Sequence, residues 1–139
     1  LKPAGGNHKK LAEAVCRRLD SYRGRFVIES FDPRALIEVR RLRPGFIRGQ
    51  LGQNFIKDRE GLPLHRAVML TNMMMHNAVS PDFIAYRFED RKDPVLRRYV
   101  DRGGMTEVTW TITTPEDYRA VVSEGCIPVF EGFDPCELR

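Results

Sequence analysis

The apolar positions of the chain alternate between short dense runs and helically spaced stripes. Arg25-Phe26-Val27-Ile28-Glu29 is rich in β-branched and aromatic residues and reads as a buried strand. It leads into Ser30-Phe31-Asp32-Pro33, where Asp32 supplies an N-cap and Pro33 takes the first helical position. Ala35, Leu36, Val39 and Leu42 then recur at helical spacing until Pro44-Gly45 stops the helix. Phe46 to Leu51 reads as the next strand.

The same grammar recurs twice. Asp82 to Phe88 is strand-like, and Asp93-Pro94 opens a helix carrying Val95, Leu96, Tyr99 and Val100 that Gly103-Gly104 closes. Glu107 to Thr113 is strand-like, and Thr114-Pro115-Glu116-Asp117 is a capped start with Asp117 placed to reach back to free backbone N–H groups. That helix carries Tyr118, Val121 and Val122, ends at Gly125, and is followed by a strand from Ile127 to Phe130. At the front, Asn7 is placed to cap a helix carrying Leu11, Val15, Leu19 and Tyr22. Gly52 to His65 reads as a long polar loop, and Ala67 to His76 as a short helix whose Met73, Met74 and Met75 fill core space.

Strands alternating with amphipathic helices predict a parallel sheet with helical crossovers. Five strands could make a complete doubly wound sheet, or the later strands of an eight-stranded barrel of about 250 residues. The repeat lengths, and an opening that looks like the stub of an earlier strand, favour the second. No Gly-rich phosphate loop follows any strand, so the nucleotide-binding doubly wound architecture loses ground. The expected fold is α/β, a partial TIM-type (βα)8 barrel of roughly the last five strand–helix units, occupying residues 1–139 as one unit.

Composition sharpens this only a little. Of 139 residues, 42% are hydrophobic and 30% charged, which is globular composition and not that of a disordered chain. The net charge of +4 is spread over clusters such as Arg40, Arg41 and Arg43 that read as solvated helix faces, so no nucleic-acid partner is expected. Cys16, Cys126 and Cys136 show no paired spacing, which points to a reduced, cytoplasmic chain. No apolar run reaches the roughly 18 residues that span a bilayer.

In a parallel barrel the chemistry sits at the carboxyl ends of the strands. The candidates there are Lys2, Glu29 with Phe31, Gln50, Tyr86 with Glu89, Trp110 and Glu131. His8, His65 and His76 have no metal-ligand spacing, and neither HExxH nor GxSxG occurs. The residues alone make no self-sufficient catalytic set.

At those same strand exits the sequence resembles the glycerophosphodiester phosphodiesterase family, in the carboxyl-terminal half of its barrel. The resembling stretches are Val27-Ile28-Glu29-Ser30-Phe31-Asp32-Pro33 with the helix that follows, Ile47-Arg48-Gly49-Gln50-Leu51, and Pro81-Asp82-Phe83-Ile84-Ala85-Tyr86. They continue with Val108-Thr109-Trp110-Thr111-Ile112-Thr113 and Phe130-Glu131-Gly132-Phe133. The order and spacing agree along almost the whole chain, and the IRGQL, DFIAY and FEGF strings are closest to a bacterial subgroup.

The resemblance implies a hydrolase that cleaves glycerophosphodiesters to glycerol 3-phosphate and an alcohol. It also implies a divalent ion, Mg²⁺ or Ca²⁺, held by carboxylates in the intact parent, with two histidines as general acid and base. The family's HRG and ExD motifs are absent here, and its E-x-K pattern would put the Glu immediately before Leu1, leaving only its Lys as Lys2. The resemblance therefore implies that Lys2 contacts phosphate and that Phe31 and Trp110 wall the glycerol and alcohol side. Glu29 stands where many members carry Ser, and Glu131 where many carry Thr-Asp; with Gln50 these complete the implied substrate side. No metal ligand is expected within this chain. A partial barrel is expected to leave an open edge and an uncovered apolar interior, inviting a homodimer or the amino-terminal half of the same barrel. The alternative is a self-contained five-stranded α/β binding module without catalysis.

Overall fold

The structure, a computed structural model, describes residues 1–4 and 6–138. Its strands are β1 (Ile28–Ser30), β2 (Arg48–Gly52), β3 (Phe83–Arg87), β4 (Thr106–Ile112) and β5 (Ile127–Phe130). They form one five-stranded sheet in the order β1-β2-β3-β4-β5, every neighbouring pair parallel. The helices are α1 (His8–Asp20), α2 (Pro33–Leu42), α3 (Leu64–Thr71), α4 (His76–Val79), α5 (Pro94–Arg97) and α6 (Pro115–Ser123).

Strand order in strict sequence excludes the doubly wound alternative, which needs a reversal of order and helices on both faces. Here the helices gather on one face. Alternation along each strand separates the side chains, and the register carries that separation from strand to strand. Ile28 packs under α1 and α2 with Ala12, Cys16, Leu36 and Val39. Ile84 and Tyr86 pack with Leu96 of α5 and with Met73, and Ile112 packs with Val121 of α6. The other face gathers Leu51, Phe83, Ala85, Val108 and Trp110, a cluster that contains no helical residue. Val27, Ile47, Ile127 and Val129 fall on this inner face by the same alternation and are exposed.

Local chemistry explains most boundaries. Asp32 accepts from the Arg34 N–H at 2.9 Å, Asp93 from the Val95 N–H at 2.9 Å, and Thr114 from the Asp117 N–H at 3.2 Å, so each helix that opens with Pro is capped as expected. Other expectations are corrected. Asn7 makes no cap to α1; its Oδ1 instead accepts from the Ala4 N–H at 2.9 Å and closes the preceding turn. Asp117 accepts from the Thr114 hydroxyl at 2.7 Å, so the Thr side chain is held by the acid while it caps the helix.

The 67–76 helix is broken. α3 ends at Thr71, Met73 adopts a positive φ of 49°, and α4 begins at His76. Only Met73 of the three methionines is core; Met74 is 69% exposed and Met75 half-buried. The helix after Asp93-Pro94 also changes character: α5 lasts four residues and continues as a wider π-type turn over Arg98–Arg102.

Candidate functional site at the carboxyl edge of the sheet

The loops that leave β1 and β2, and the carboxyl end of strand β4, bring three aromatic rings together. Phe31 meets Trp110 edge-on at 5.6 Å and Phe55 edge-on at 5.8 Å between ring centroids. β1 and β4 are three strand spacings apart, about 14 Å along a flat sheet. A roll of the sheet toward its inner face and two large side chains leaning together close that gap. Phe55 is buried although it lies in the stretch with no periodicity. The signal for it was a lone large aromatic between Gly52 and Gly61 in otherwise polar sequence.

A polar lattice holds the loops that carry these rings. The buried Asp90 accepts from the Asn54 N–H at 3.0 Å and from Arg87 Nε at 2.9 Å, and Lys57 Nζ stands 3.6 Å away. Asp58 lies 3.2 Å from Arg87 Nη1, and Asn54 Nδ2 donates to Asp93 at 2.9 Å. The loop after β2 is thereby tied to the turn after β3. Arg87 is matched by Asp58 and Asp90, with Glu89 at 4.0 Å, which leaves it little capacity to take up a further anion.

The other candidates are dispersed. Lys2 is exposed at the edge of β1, where the Leu1 amino group donates to the Glu29 carbonyl and Ser30 Oγ donates to the Leu1 carbonyl at 2.8 Å. Glu29 is half-buried on the inner face, and burial raises its carboxyl above its ordinary value against the opposing charge of the Leu1 amino group. Gln50 pairs in register with Ser30 and Ile84 on the helix-covered face; it is buried and its Oε1 has no hydrogen-bond partner. Glu131 is exposed past β5, tied down only through its N–H to the Ile112 carbonyl at 3.0 Å. Tyr86 is fully buried on the helix side, burial driving its phenol pKa up, and Glu89 is exposed. The structure thus brings Phe31 and Trp110 together and adds Phe55, while Gln50 and Glu131 stand apart from them.

Histidines contribute nothing here. His8 opens α1, His65 is exposed on α3, and His76 stacks on Tyr99 at 4.1 Å. Among the described residues no group of three or more His, Cys, Asp and Glu side chains is placed to hold a metal ion, so this chain's residues do not by themselves fit the divalent ion that the resemblance implies. What the edge can do is bind: it offers an aromatic wall over a charge-satisfied floor.

No protein-family profile and no curated protein matches the sequence. Solved structures do. A phosphodiesterase from Oleispira antarctica, solved with the product sn-glycerol-3-phosphate, matches 94% of this chain with a TM-score of 0.67 at 16% identity. A Silicibacter pomeroyi protein bearing the name glycerophosphoryl diester phosphodiesterase matches 88% with a TM-score of 0.63 at 26% identity. A glycerophosphodiester phosphodiesterase from Parabacteroides distasonis matches 99% with a TM-score of 0.65 at 16% identity. The chain spans about half the length of these neighbours, between 40% and 52% of each. The resemblance read in the sequence is carried by the fold as well, and the chain folds as part of a TIM-type barrel.

Proposed function

We propose that residues 1–139 form the later part of the barrel of a metal-dependent phosphoric diester hydrolase, one that converts a glycerophosphodiester and water into glycerol 3-phosphate and an alcohol. The observation that carries this reading is the match to the Silicibacter pomeroyi protein over 88% of the chain at 26% identity, in a fold whose inner face is left without helices. In this reading Phe31 and Trp110 wall the substrate, Lys2 meets the phosphate and Glu29, on the inner face, is a secondary contact, while Gln50 on the helix side and Glu131 beyond β5 stand away from that wall. The metal ligands, and the groups that move protons, come from the other half of the barrel. That half, or a second copy of this chain, covers the apolar inner face. No helix among the described residues is long and apolar enough to cross a membrane, and the free Cys16, Cys126 and Cys136 agree with a reduced, cytoplasmic setting.

One observation favours the alternative, a binding module complete at five strands: Arg87, the cation beside the aromatic wall, is already matched by Asp58 and Asp90. Two measurements separate the readings. This chain alone, supplied with Mg²⁺ or Ca²⁺, is expected to leave glycerophosphocholine intact; robust turnover would overturn the half-barrel reading. The coding sequence ahead of Leu1 is expected to contain an HRG and an ExD motif, whereas a start codon at Leu1 would favour the module.

A further inference from the structure

Beside the aromatic wall, between the exit of β1 and helix α3, lies a cavity of about 690 Å³. That volume is within the range of roughly 300–1,000 Å³ that small-molecule sites occupy. The charged side chains lining it are Asp32, Arg34, Glu60 and Arg66. Two of them satisfy each other. Asp32 accepts from Arg34 Nε at 3.0 Å and from Arg34 Nη2 at 2.7 Å, so both of its carboxylate oxygens are taken. Glu60 and Arg66 are exposed and form no ion pair with each other or with any other described residue. The cavity therefore offers one uncancelled anion and one uncancelled cation to whatever enters it.

The Glu60 carboxylate is held where it stands. Its backbone has a φ of 47°, a left-handed conformation that a residue with a long side chain adopts only at a cost. Its Oε1 accepts from Gln53 Nε2 at 2.8 Å, and Gln53 is only 2% exposed. A buried amide thus fixes one oxygen of an exposed acid and leaves the other to take up a donor. Arg66 stands in the first turn of α3, where its backbone N–H donates to the Pro63 carbonyl at 3.0 Å. Its planar guanidinium suits a carboxylate, which it can meet through two parallel hydrogen bonds.

A ligand of single charge meets one of these groups and is opposed by the other. Glu60 repels a free phosphate or a dicarboxylate, and Arg66 repels a quaternary ammonium. A zwitterion with its ammonium and carboxylate on one carbon suits both. The cavity also adjoins the aromatic wall and the residue after Lys2: Phe31 lines it while its ring meets Trp110, and Pro3 lines it as well.

We infer that this cavity selects a leaving alcohol that is itself an α-amino acid, of the serine type, with its ammonium on Glu60 and its carboxylate on Arg66; the assignment rests on the phosphodiesterase reading for the ester that presents it. Hydrolysis then breaks the P–O bond to the amino acid's hydroxyl oxygen. Water supplies the oxygen of the new P–O bond and the proton that the departing oxygen takes up. The products are glycerol 3-phosphate and the free hydroxy amino acid.

Amide NMR titrations of the 139-residue protein test this with glycerophosphoserine, glycerophosphoethanolamine, glycerophosphoglycerol and free L-serine. Glycerophosphoethanolamine lacks only the carboxylate, and the glycerol headgroup is uncharged. Both side chains are exposed and screened by water, so each contact is expected to contribute about fivefold in affinity. Glycerophosphoserine is expected to bind about fivefold more tightly than glycerophosphoethanolamine. Arg66→Gln is expected to abolish that difference without weakening glycerophosphoethanolamine. Glu60→Gln is expected to weaken both and to leave glycerophosphoglycerol unchanged.

Absence of saturable binding by glycerophosphoserine would overturn the assignment. So would equal affinity for it and glycerophosphoethanolamine, or an equal loss of both in Arg66→Gln. L-Serine binding as tightly as glycerophosphoserine would overturn the placing of the amino acid as half of a diester. The two proposals fail separately. A longer protein that hydrolyses glycerophosphocholine, while this chain does not prefer glycerophosphoserine, defeats the cavity assignment alone. Preferential binding of glycerophosphoserine with no hydrolysis by that longer protein defeats the hydrolase reading alone.

Discussion

On the outer face of the sheet, Ile28, Ile84, Tyr86 and Ile112 are between 0% and 4% exposed beneath the helices; on the inner face, Val27, Ile47, Ile127 and Val129 are between 45% and 53% exposed with no helix above them. The side chains are of similar kind. What differs is cover. A sheet that meets water on one side alternates polar residues onto that side; here Glu29, Arg87 and Thr106 follow that rule, but Val27, Ile47, Ile127 and Val129 do not. Among the described residues nothing covers that apolar inner surface, which is what the half-barrel reading requires.

The comparison breaks if both faces respond alike to mutation. Leu36→Ala removes a fully buried side chain between α1 and β1 and is expected to cost about 3 kcal/mol of stability in urea denaturation, the cavity adding to the lost transfer energy. Val129→Ala on the inner face is expected to stay within about 0.5 kcal/mol in the same measurement. Equal losses would mean that the inner face is already packed against something.

The outer face also buries charge, and this gives the next largest effect. Glu107 accepts from Arg91 at 2.6 Å and from Arg97 at 2.5 Å, and Arg91 reaches Glu124 at 2.8 Å. Glu107→Ala takes the buried carboxylate from two guanidinium groups, which keep only the exposed Glu124 and Asp101, and is expected to cost about 3 kcal/mol. Burial by itself would raise the Glu107 carboxyl, but its hydrogen bonds from Arg91 and Arg97 outweigh this and hold it below its ordinary 4.5. An acid whose pKa is lower folded than unfolded adds stability above its unfolded value, and that stability is lost as pH falls through the folded one. Acidification below about pH 4.5 should therefore weaken the natural protein by more than it weakens Glu107→Gln, as read from urea midpoints at successive pH values.

Smaller effects sharpen the picture. Thr114→Ala removes the cap of α6 and is expected to cost about 1 kcal/mol, seen as a lower thermal midpoint. Val129→Lys is expected to change stability by no more than about 0.5 kcal/mol. Its readout is association: if copies of this chain pair through the inner face, light scattering will move toward the monomer. Unaltered association would place any contact between copies elsewhere.

The sheet and its helix starts were legible in the sequence because their determinants are local. Asp32-Pro33, Asp93-Pro94 and Thr114-Pro115 each announce a cap and a first turn within a few residues. The loop from Gly52 to His65 was not legible, and the reason is physical. Its shape depends on Asn54 and Arg87 meeting Asp90, and Asn54 and Asp90 lie 36 residues apart along the chain. Phe55 was hidden for the same reason: it packs on Phe31, in a different loop. Phe31 and Trp110 could be singled out because they stand at strand exits, and the resemblance pointed to the same positions. Their contact with each other depends on the roll of the sheet, which no local pattern encodes.

Gly49 sits opposite Phe83 on the inner face, and the ring of Phe83 occupies the space where a side chain at position 49 would begin. The hollow is thus floored at this level by a residue borrowed from the neighbouring strand. Alanine at 49 would tip that ring up into the open concavity and make it shallower. A single hydrogen atom at position 49 in this way determines how deeply anything seated against the sheet can descend.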